Sequence, residues 1–279
     1  MIIFKKATAL QDYLQKHIIT KSSIGFIPTM GALHRGHISL LKKSKQIADK
    51  TLCSIFVNPS QFNNPDDFKK YPVKTEQDIF LLEKTGCDVL FLPDIKEIYP
   101  HGFNKESFNL GNLENILEGK FRPDHFQGVG MVVKNLIEII NPTYLLAGQK
   151  DYQQCLVLQR ILQFINSGTE LIICPTVREN DGLAMSSRNL RLNEKQRALA
   201  PEIYHTLSYI KQHIKPGSLK HLKDTGINLL TKKGFRVDYV EIAGTMDLQT
   251  VDVWDGSDPV IILAAAYIND IRLIDNLKS

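Results

Sequence analysis

Two periodicities alternate along the first two thirds of the chain. Short apolar, β-branched runs (24–29 IGFIPT, 51–58 TLCSIFVN, 87–93 CDVLFLP) are separated by stretches whose apolar positions recur every three or four residues (37–50 HISLLKKSKQIADK, 75–86 TEQDIFLLEKTG). Near-continuous apolar runs suit strands buried on both faces, and the longer period suits helices that bury one side. The rhythm resumes with 126–141 as helix, 144–148 as strand, 151–166 as a helix with Asp151 near its start, and 169–177 as strand. Repeated strand–helix–strand units predict a doubly wound α/β domain, a parallel sheet with helices on both faces, over roughly residues 1–177. Residues 1–15 read as a short strand followed by a helix.

After 178–189 RENDGLAMSSRN the pattern changes. Residues 194–214 and 218–233 read as two helices, 235–244 and 259–268 as strands, and Asn269-Asp270 as a turn into 271–276. This predicts a second, smaller α+β domain over 178–279. The longest loop candidates lie around 58–74 and 178–190, and loops beside the C-terminal ends of strands carry binding in this architecture.

Composition changes this picture little. The chain has 279 residues, 34 Lys plus Arg against 30 Asp plus Glu, and a net charge of +4. That surplus is too small for a nucleic-acid footprint but leaves anionic small molecules open. No apolar run approaches the roughly 20 residues of a membrane span. The N-terminus lacks the signature of a signal peptide, so a cytoplasmic location is expected. Cys53, Cys87, Cys155 and Cys174 fall inside apolar runs with no CxxC spacing, which predicts reduced structural thiols rather than disulfides or a zinc site.

The candidate chemistry clusters at predicted strand ends. In 27–37 IPTMGALHRGH, a strand delivers the chain to Gly31, His34, Gly36 and His37. A helix starting near Leu33 or His34 would set the two imidazoles one turn apart, at a terminus whose free N–H groups attract anions such as phosphate. Imidazole can donate a hydrogen bond, or a proton near neutral pH, as charge grows on a reacting phosphate. The alternative is two surface histidines in a turn. No GxxxxGK[ST] occurs, and 128–130 GVG lacks the third glycine and preceding strand of a dinucleotide fingerprint.

Three further segments have both a chemical and a plain reading. Asn58 and Gln61, in 54–62 SIFVNPSQF, present amides that can pair a carboxylate and a hydroxyl together, or Asn58 simply caps its loop. In 148–154 GQKDYQQ, Asp151 could cap a helix or hold a ribose hydroxyl, with Gln154 one turn on. Lys150 beside the positive end of that helix is disfavoured without an anion. Ser186, Ser187 and Arg188 form either a phosphate clamp closing from the second domain or a helix cap in a linker. Arg122 and His125 of 122–129 RPDHFQGV read, taken alone, as a surface turn.

In this order, 28–37 PTMGALHRGH, 54–62 SIFVNPSQF, 97–100 EIYP, 122–129 RPDHFQGV, 148–154 GQKDYQQ, 181–189 DGLAMSSRN and the terminal RLIDN resemble the pantoate–β-alanine ligase (pantothenate synthetase) family across nearly the whole chain. The first is similar to the HIGH signature of adenylate-forming nucleotidyltransferases, and MSSR to their KMSKS loop. The resemblance implies a Rossmann-like N-terminal domain and a small C-terminal domain. It implies ATP-dependent attack of pantoate on the α-phosphate, then attack of the β-alanine amine on the pantoyl adenylate. It implies that Met30 to His37 bind ATP, with His37 as proton donor, and that Gln61 and Gln154 hold pantoate, Gln61 also lying at the β-alanine site. It places Gly148, Gln149, Lys150 and Asp151, with Val177 and Met185 to Arg188, at the nucleotide, and it implies magnesium dependence and a homodimer. Asp124 stands where the family resemblance implies a smaller residue, and Gln149 where it often implies glutamate.

Adenylation needs little covalent help, because a carboxylate is already a nucleophile. Positioning and electrostatics therefore carry it, and His34, His37, Lys150, Ser186, Ser187 and Arg188 with magnesium form a suitable donor set. Asn58 and Arg122 are expected on the pantoate and β-alanine side. No residue stands out as base for the amine. Two other readings are a nucleotidyltransferase that keeps the nucleotide in its product, which leaves Gln61 and Gln154 unexplained, and an RNA-binding module, which the charge argues against.

Overall fold

The computed structural model describes residues 1–17, 22–63, 65–103 and 106–279; Asn64, within the expected 58–74 loop, lies outside the described residues. Six parallel strands form the central sheet: β1 (Ile2–Phe4), β2 (Ile24–Thr29), β3 (Lys50–Ile55), β4 (Val89–Phe91), β5 (Tyr144–Gly148) and β6 (Glu170–Cys174), in the order β1-β4-β3-β2-β5-β6. From β2 the chain steps outward to β3 and β4, then returns to lay β5 and β6 on the other side. The strand order therefore reverses between β2 and β5, where Gly25 pairs with Tyr144, and ligands bind beyond the carboxyl ends at such a reversal.

The helices are α1 (Ala7–His17), α2 (Arg35–Ile47), α3 (Pro65–Lys69), α4 (Thr75–Thr85), α5 (Ile95–Ile98), α6 (Leu117–Phe121), α7 (His125–Ile140) and α8 (Tyr152–Phe164). Successive strand residues feed opposite cores, as a sheet buried on both faces requires. Phe26, Leu52, Phe91 and Leu145 pack with Leu14 of α1 and Val133 of α7. Their neighbours Ile27, Cys53, Leu90 and Leu146 pack with Leu41 of α2 and Leu82 of α4. All four cysteines are free and buried.

The C-terminal third holds α9 (Glu194–Leu199), α10 (Glu202–His213), β7 (Gly217–Ser218), α11 (Lys220–Lys232), β8 (Arg236–Gly244), β9 (Val253–Trp254), β10 (Val260–Ile268) and β11 (Ile271–Lys278). Its antiparallel sheet runs β11-β10-β8, and β7 pairs separately with β9. The helix expected over 194–214 is two helices, because Pro201 has no N–H to continue the first. Asn269 makes the expected turn into β11 with φ +53°. The 58–74 segment is more ordered than a loop, holding a 3₁₀ turn (Pro59–Gln61) and α3. A further cluster joins the halves, with Phe126 and Tyr152 packed among Ala243, Ile261 and Leu263.

Candidate active site

The turn after β2 is built to aim two histidines. Gly31 (φ +82°) and Ala32 (φ +48°) take left-handed backbone in succession, and a side chain at Gly31 would crowd Asp78 and Ile55 as well. The buried Asp78 carboxylate, from α4, accepts from Ala32 N at 2.8 Å and Leu33 N at 2.7 Å. Burial pushes Asp78 upward, partly offset by those two amides. His34 then caps α2, its Nδ1 accepting from Gly36 N at 3.1 Å, while Nδ1 of His37 accepts from His34 N at 3.3 Å. The two residues thus form a reciprocal capping box in which imidazole replaces the usual side chains. A side chain on Gly36 would strike the His34 ring at 2.8 Å.

The rings lie 4.1 Å apart between centroids. Burial, then the charge of Lys150, lowers His34 to about 4. Burial, then His34 and Lys150, lowers His37 to about 3. Both are neutral at pH 7, and because each Nδ1 accepts a backbone N–H, the proton sits on Nε2. The pair therefore presents two N–H donors rather than two cations.

Beyond β5, Gln149–Asp151 form a 3₁₀ turn that carries Lys150 across the same crevice. Asp151 precedes α8 but makes no side-chain cap. It pairs instead with Lys150, Oδ1 to Nζ at 3.3 Å. Both turns line one cavity of about 260 Å³ together with Met30, Gln61, Gln154, Val177 and Met185. Among the described residues nothing hydrogen-bonds the Gln154 amide, and the buried Thr176 hydroxyl in the cavity wall has no partner.

Asn58 behaves differently from Gln61. Its amide is 1% exposed and fully used: Nδ2 donates to Gly128 O and Gln61 Oε1, and Oδ1 accepts from the Tyr99 hydroxyl at 2.9 Å and from Ser60. Asn58 therefore positions Gln61, whose Nε2 approaches the Met30 sulfur at 3.0 Å. Gly128 lets this turn sit against α7, since a side chain there would meet Ser60 O at 2.3 Å. That is the structural use of the GVG segment.

The surface-turn reading of RPDHFQGV is overturned. His125 is 5% exposed. Arg122 can only donate, so the 3.0 Å contact from its Nη1 makes His125 Nε2 the acceptor, leaving Nδ1–H to donate to Gln61 O at 2.7 Å. Burial, then Arg122, lowers His125 to about 3. Burial, then the charge of Arg188, lowers Arg122 to about 10, so it stays a cation facing the cavity. Asp124 holds φ +61°, a conformation aspartate tolerates better than most residues.

In the 185–191 segment the side chains pair with protein groups. Ser186 Oγ caps the following 3₁₀ turn by accepting from Arg188 N, so the plain capping reading describes it. Ser187 Oγ donates across to Ala32 O at 3.1 Å. Arg188 and Arg191 each bind Asp67 of α3 at 2.8 Å. Burial pushes Asp67 up, but the two guanidinium groups outweigh it and hold the carboxyl below its usual range. Sequence reasoning missed Asp67 and Asp78, which read as ordinary acids in first helical turns, and gave no role to Asn276, although it ends the quoted RLIDN segment. Asn276 donates to Gln149 O and Lys150 O, both at 2.9 Å.

The sequence profile of pantoate–beta-alanine ligase matches residues 2–278. The pantothenate synthetase of Cytophaga hutchinsonii is 44% identical over 282 residues, covering 99% of each chain. That of Flavobacterium psychrophilum is 39% identical, covering 100% of this chain and 99% of the relative. Among solved structures, pantothenate synthetase from Thermus thermophilus superposes with a TM-score of 0.89 at 36% identity over 99% of both chains. Pantoate–beta-alanine ligase from Francisella tularensis, complexed with beta-gamma ATP and beta-alanine, gives 0.82 at 38% identity, covering 99% of this chain and 97% of that one. With its six-stranded parallel sheet, paired histidines at the strand-order reversal and end-to-end similarity, the chain belongs to the pantoate–β-alanine ligase family and joins pantoate to β-alanine.

Proposed function

We propose that ligation uses ATP and runs through pantoyl adenylate inside the cavity between β2 and β5. The pantoate carboxylate attacks the α-phosphate and expels pyrophosphate; the β-alanine amine then attacks the acyl carbon and releases AMP. The observation that carries the assignment is the pair of neutral Nε2–H donors of His34 and His37 facing the same crevice as Lys150. Charge grows on the phosphate oxygens during the first step, and donors fixed by a capping box need no reorganisation to meet it. In this reading His37 acts first as an aimed donor, and Lys150 neutralises phosphate charge.

Met30, Gly31, Gly148, Gln149, Asp151, Val177, Met185, Ser186 and Ser187 complete the nucleotide site. Arg188 reaches the phosphates by exchanging Asp67 for the substrate. Gln154 and Gln61 read pantoate, Gln61 also faces β-alanine, and Arg122 supplies a positive charge for a substrate carboxylate. Asn58 and His125 position Gln61 from behind. The similarity to a ligase solved with beta-gamma ATP and beta-alanine supports these substrates.

Among the described residues there is no cluster of three or more metal-ligating side chains, so magnesium is proposed as part of the MgATP substrate, carried on the phosphates. The proposed division is residues 1–177 for nucleotide and pantoate and 178–279 as the smaller unit over the nucleotide end. No described helix is long and apolar enough to cross a membrane. A homodimer in the cytoplasm completes the proposal, and a sedimentation mass of one chain would remove the dimer from it. Pantoate-dependent exchange of pyrophosphate into ATP without β-alanine, with AMP turnover only once β-alanine is added, is the expected result. AMP formation that ignores pantoate would overturn the mechanism.

A further inference from the structure

We propose that Asn276, on the last strand of the C-terminal sheet, is a positioning residue for adenylation that acts through Lys150. The inference rests on the reading of Lys150 as a phosphate contact. The Asn276 side chain is 1% exposed and all of its polar groups serve one turn. Nδ2 donates to the carbonyls of Gln149 and Lys150 at 2.9 Å each, and Oδ1 accepts from Gln149 Nε2 at 3.1 Å. A hydrophobic residue of similar volume would fill the space and leave those groups without this partner.

The turn needs such a hold. Lys150 places a cation beside the N-terminus of α8, where the helix dipole opposes it, and among the described residues its ion pair is with the half-exposed Asp151. The neighbouring residue on β11 grips a second loop. Asp275 takes Arg178 through two bonds of 2.5 and 2.9 Å, and Arg178 also donates to Gly182 O at 3.0 Å. Consecutive strand residues point to opposite sides. One strand thus holds both the turn that carries Lys150 and the hairpin that leads into Arg188, and both of its residues line the cavity in which a phosphate chain would lie.

The test is a double-mutant cycle in the full-length protein, read as single-turnover pyrophosphate release from ATP and pantoate. Asn276→Asp keeps the shape but turns a carboxylate toward two carbonyls. It should slow release about tenfold to hundredfold, the scale of losing a positioned group. Reaction of β-alanine with preformed pantoyl adenylate should change by less than about threefold, since pyrophosphate has already left. In a Lys150→Gln background Asn276→Asp should add nothing, because its effect passes through the missing ammonium.

Equal slowing in both backgrounds, or no slowing in a folded Asn276→Asp protein, would overturn the inference. If Lys150→Gln alone leaves pyrophosphate release unchanged, the phosphate reading of Lys150 fails and takes the inference with it. Should Asn276→Asp not fold, Gln149→Met removes the donor to Asn276 Oδ1, together with any contact the Gln149 side chain itself makes in the nucleotide site. It should give a smaller slowing, about threefold, that also vanishes in the Lys150→Gln background; persistence there would count against the proposal.

Discussion

The two loops that frame the nucleotide end of the cavity carry similar donor groups but are built on different principles. The 29–37 loop satisfies its backbone through Asp78 and the two imidazole Nδ1 atoms, and among the described residues both Nε2–H groups are left to meet a ligand. The 185–191 loop has its side-chain donors in use: Ser187 on Ala32 O, and Arg188 on Asp67. The first loop is ready for charge; the second must exchange partners to receive it. Residue types in a motif therefore say which chemistry is available, and the hydrogen-bond partners say when.

The strongest way to break that contrast is to remove a prepared donor. His37→Ala should slow pyrophosphate release about tenfold to thousandfold, the range for losing one aimed donor or acid. Unchanged single-turnover release would end the claim that this loop is the prepared one. Next in size is its support. Asp78→Ala leaves two backbone amides without their acceptor and should cost about 2–4 kcal/mol of stability. Slower adenylation by about tenfold to hundredfold should accompany it as the histidines lose their aim. Asp78→Asn, which keeps an acceptor oxygen, should fall between; a thermal melt and a pyrophosphate assay on the same sample check both.

The exchange at the second loop predicts an effect of the opposite sign. Asp67→Asn relieves Arg188 of a competing carboxylate, so KM for ATP should fall, by about twofold to fivefold for a partly exposed pair. A rise in KM with kcat unchanged would mean that Asp67 holds the arginine in its working place, and the loops would then be alike.

How far the sequence reached follows the same line. The strands and their burial on both faces were legible because residues such as Phe26 and Ile27, or Leu145 and Leu146, are apolar in succession, and only a sheet covered on both sides accepts that; the strand order was not. The paired histidines were legible from a strand, two glycines and the start of a helix. Partners remote in the chain were not. Nothing local marks Asp78 as the acceptor for Ala32 and Leu33, Asp67 as the mate of Arg188, or Asn276 as the brace of Lys150, because each contact spans at least 45 residues. His125 was misread for a related reason: a turn sequence describes backbone, and its burial came from a turn 64 residues away.

The smallest expected effect separates the histidines in front of the cavity from the one behind it. His125 titrates near 6.5 when unfolded and is lowered to about 3 in the fold. Between those values the unfolded chain holds a proton that the native state refuses, so stability rises with pH and is lost on acidification below about 6.5. For this buried ring the loss from neutral pH down to pH 5 is about 2 kcal/mol. Asn at 125 cannot titrate there, and its amide can still donate toward Gln61 O, so His125→Asn should flatten the fall of Tm between pH 6.5 and 5 while changing kcat at pH 8 only modestly. His34 and His37, lowered to about 4 and about 3, contribute to the same slope but line the open cavity. His37→Asn should therefore flatten it to a similar extent and cost far more activity. If the two variants lose equal activity, the front and rear histidines share one role, and Gln61 is not held from behind.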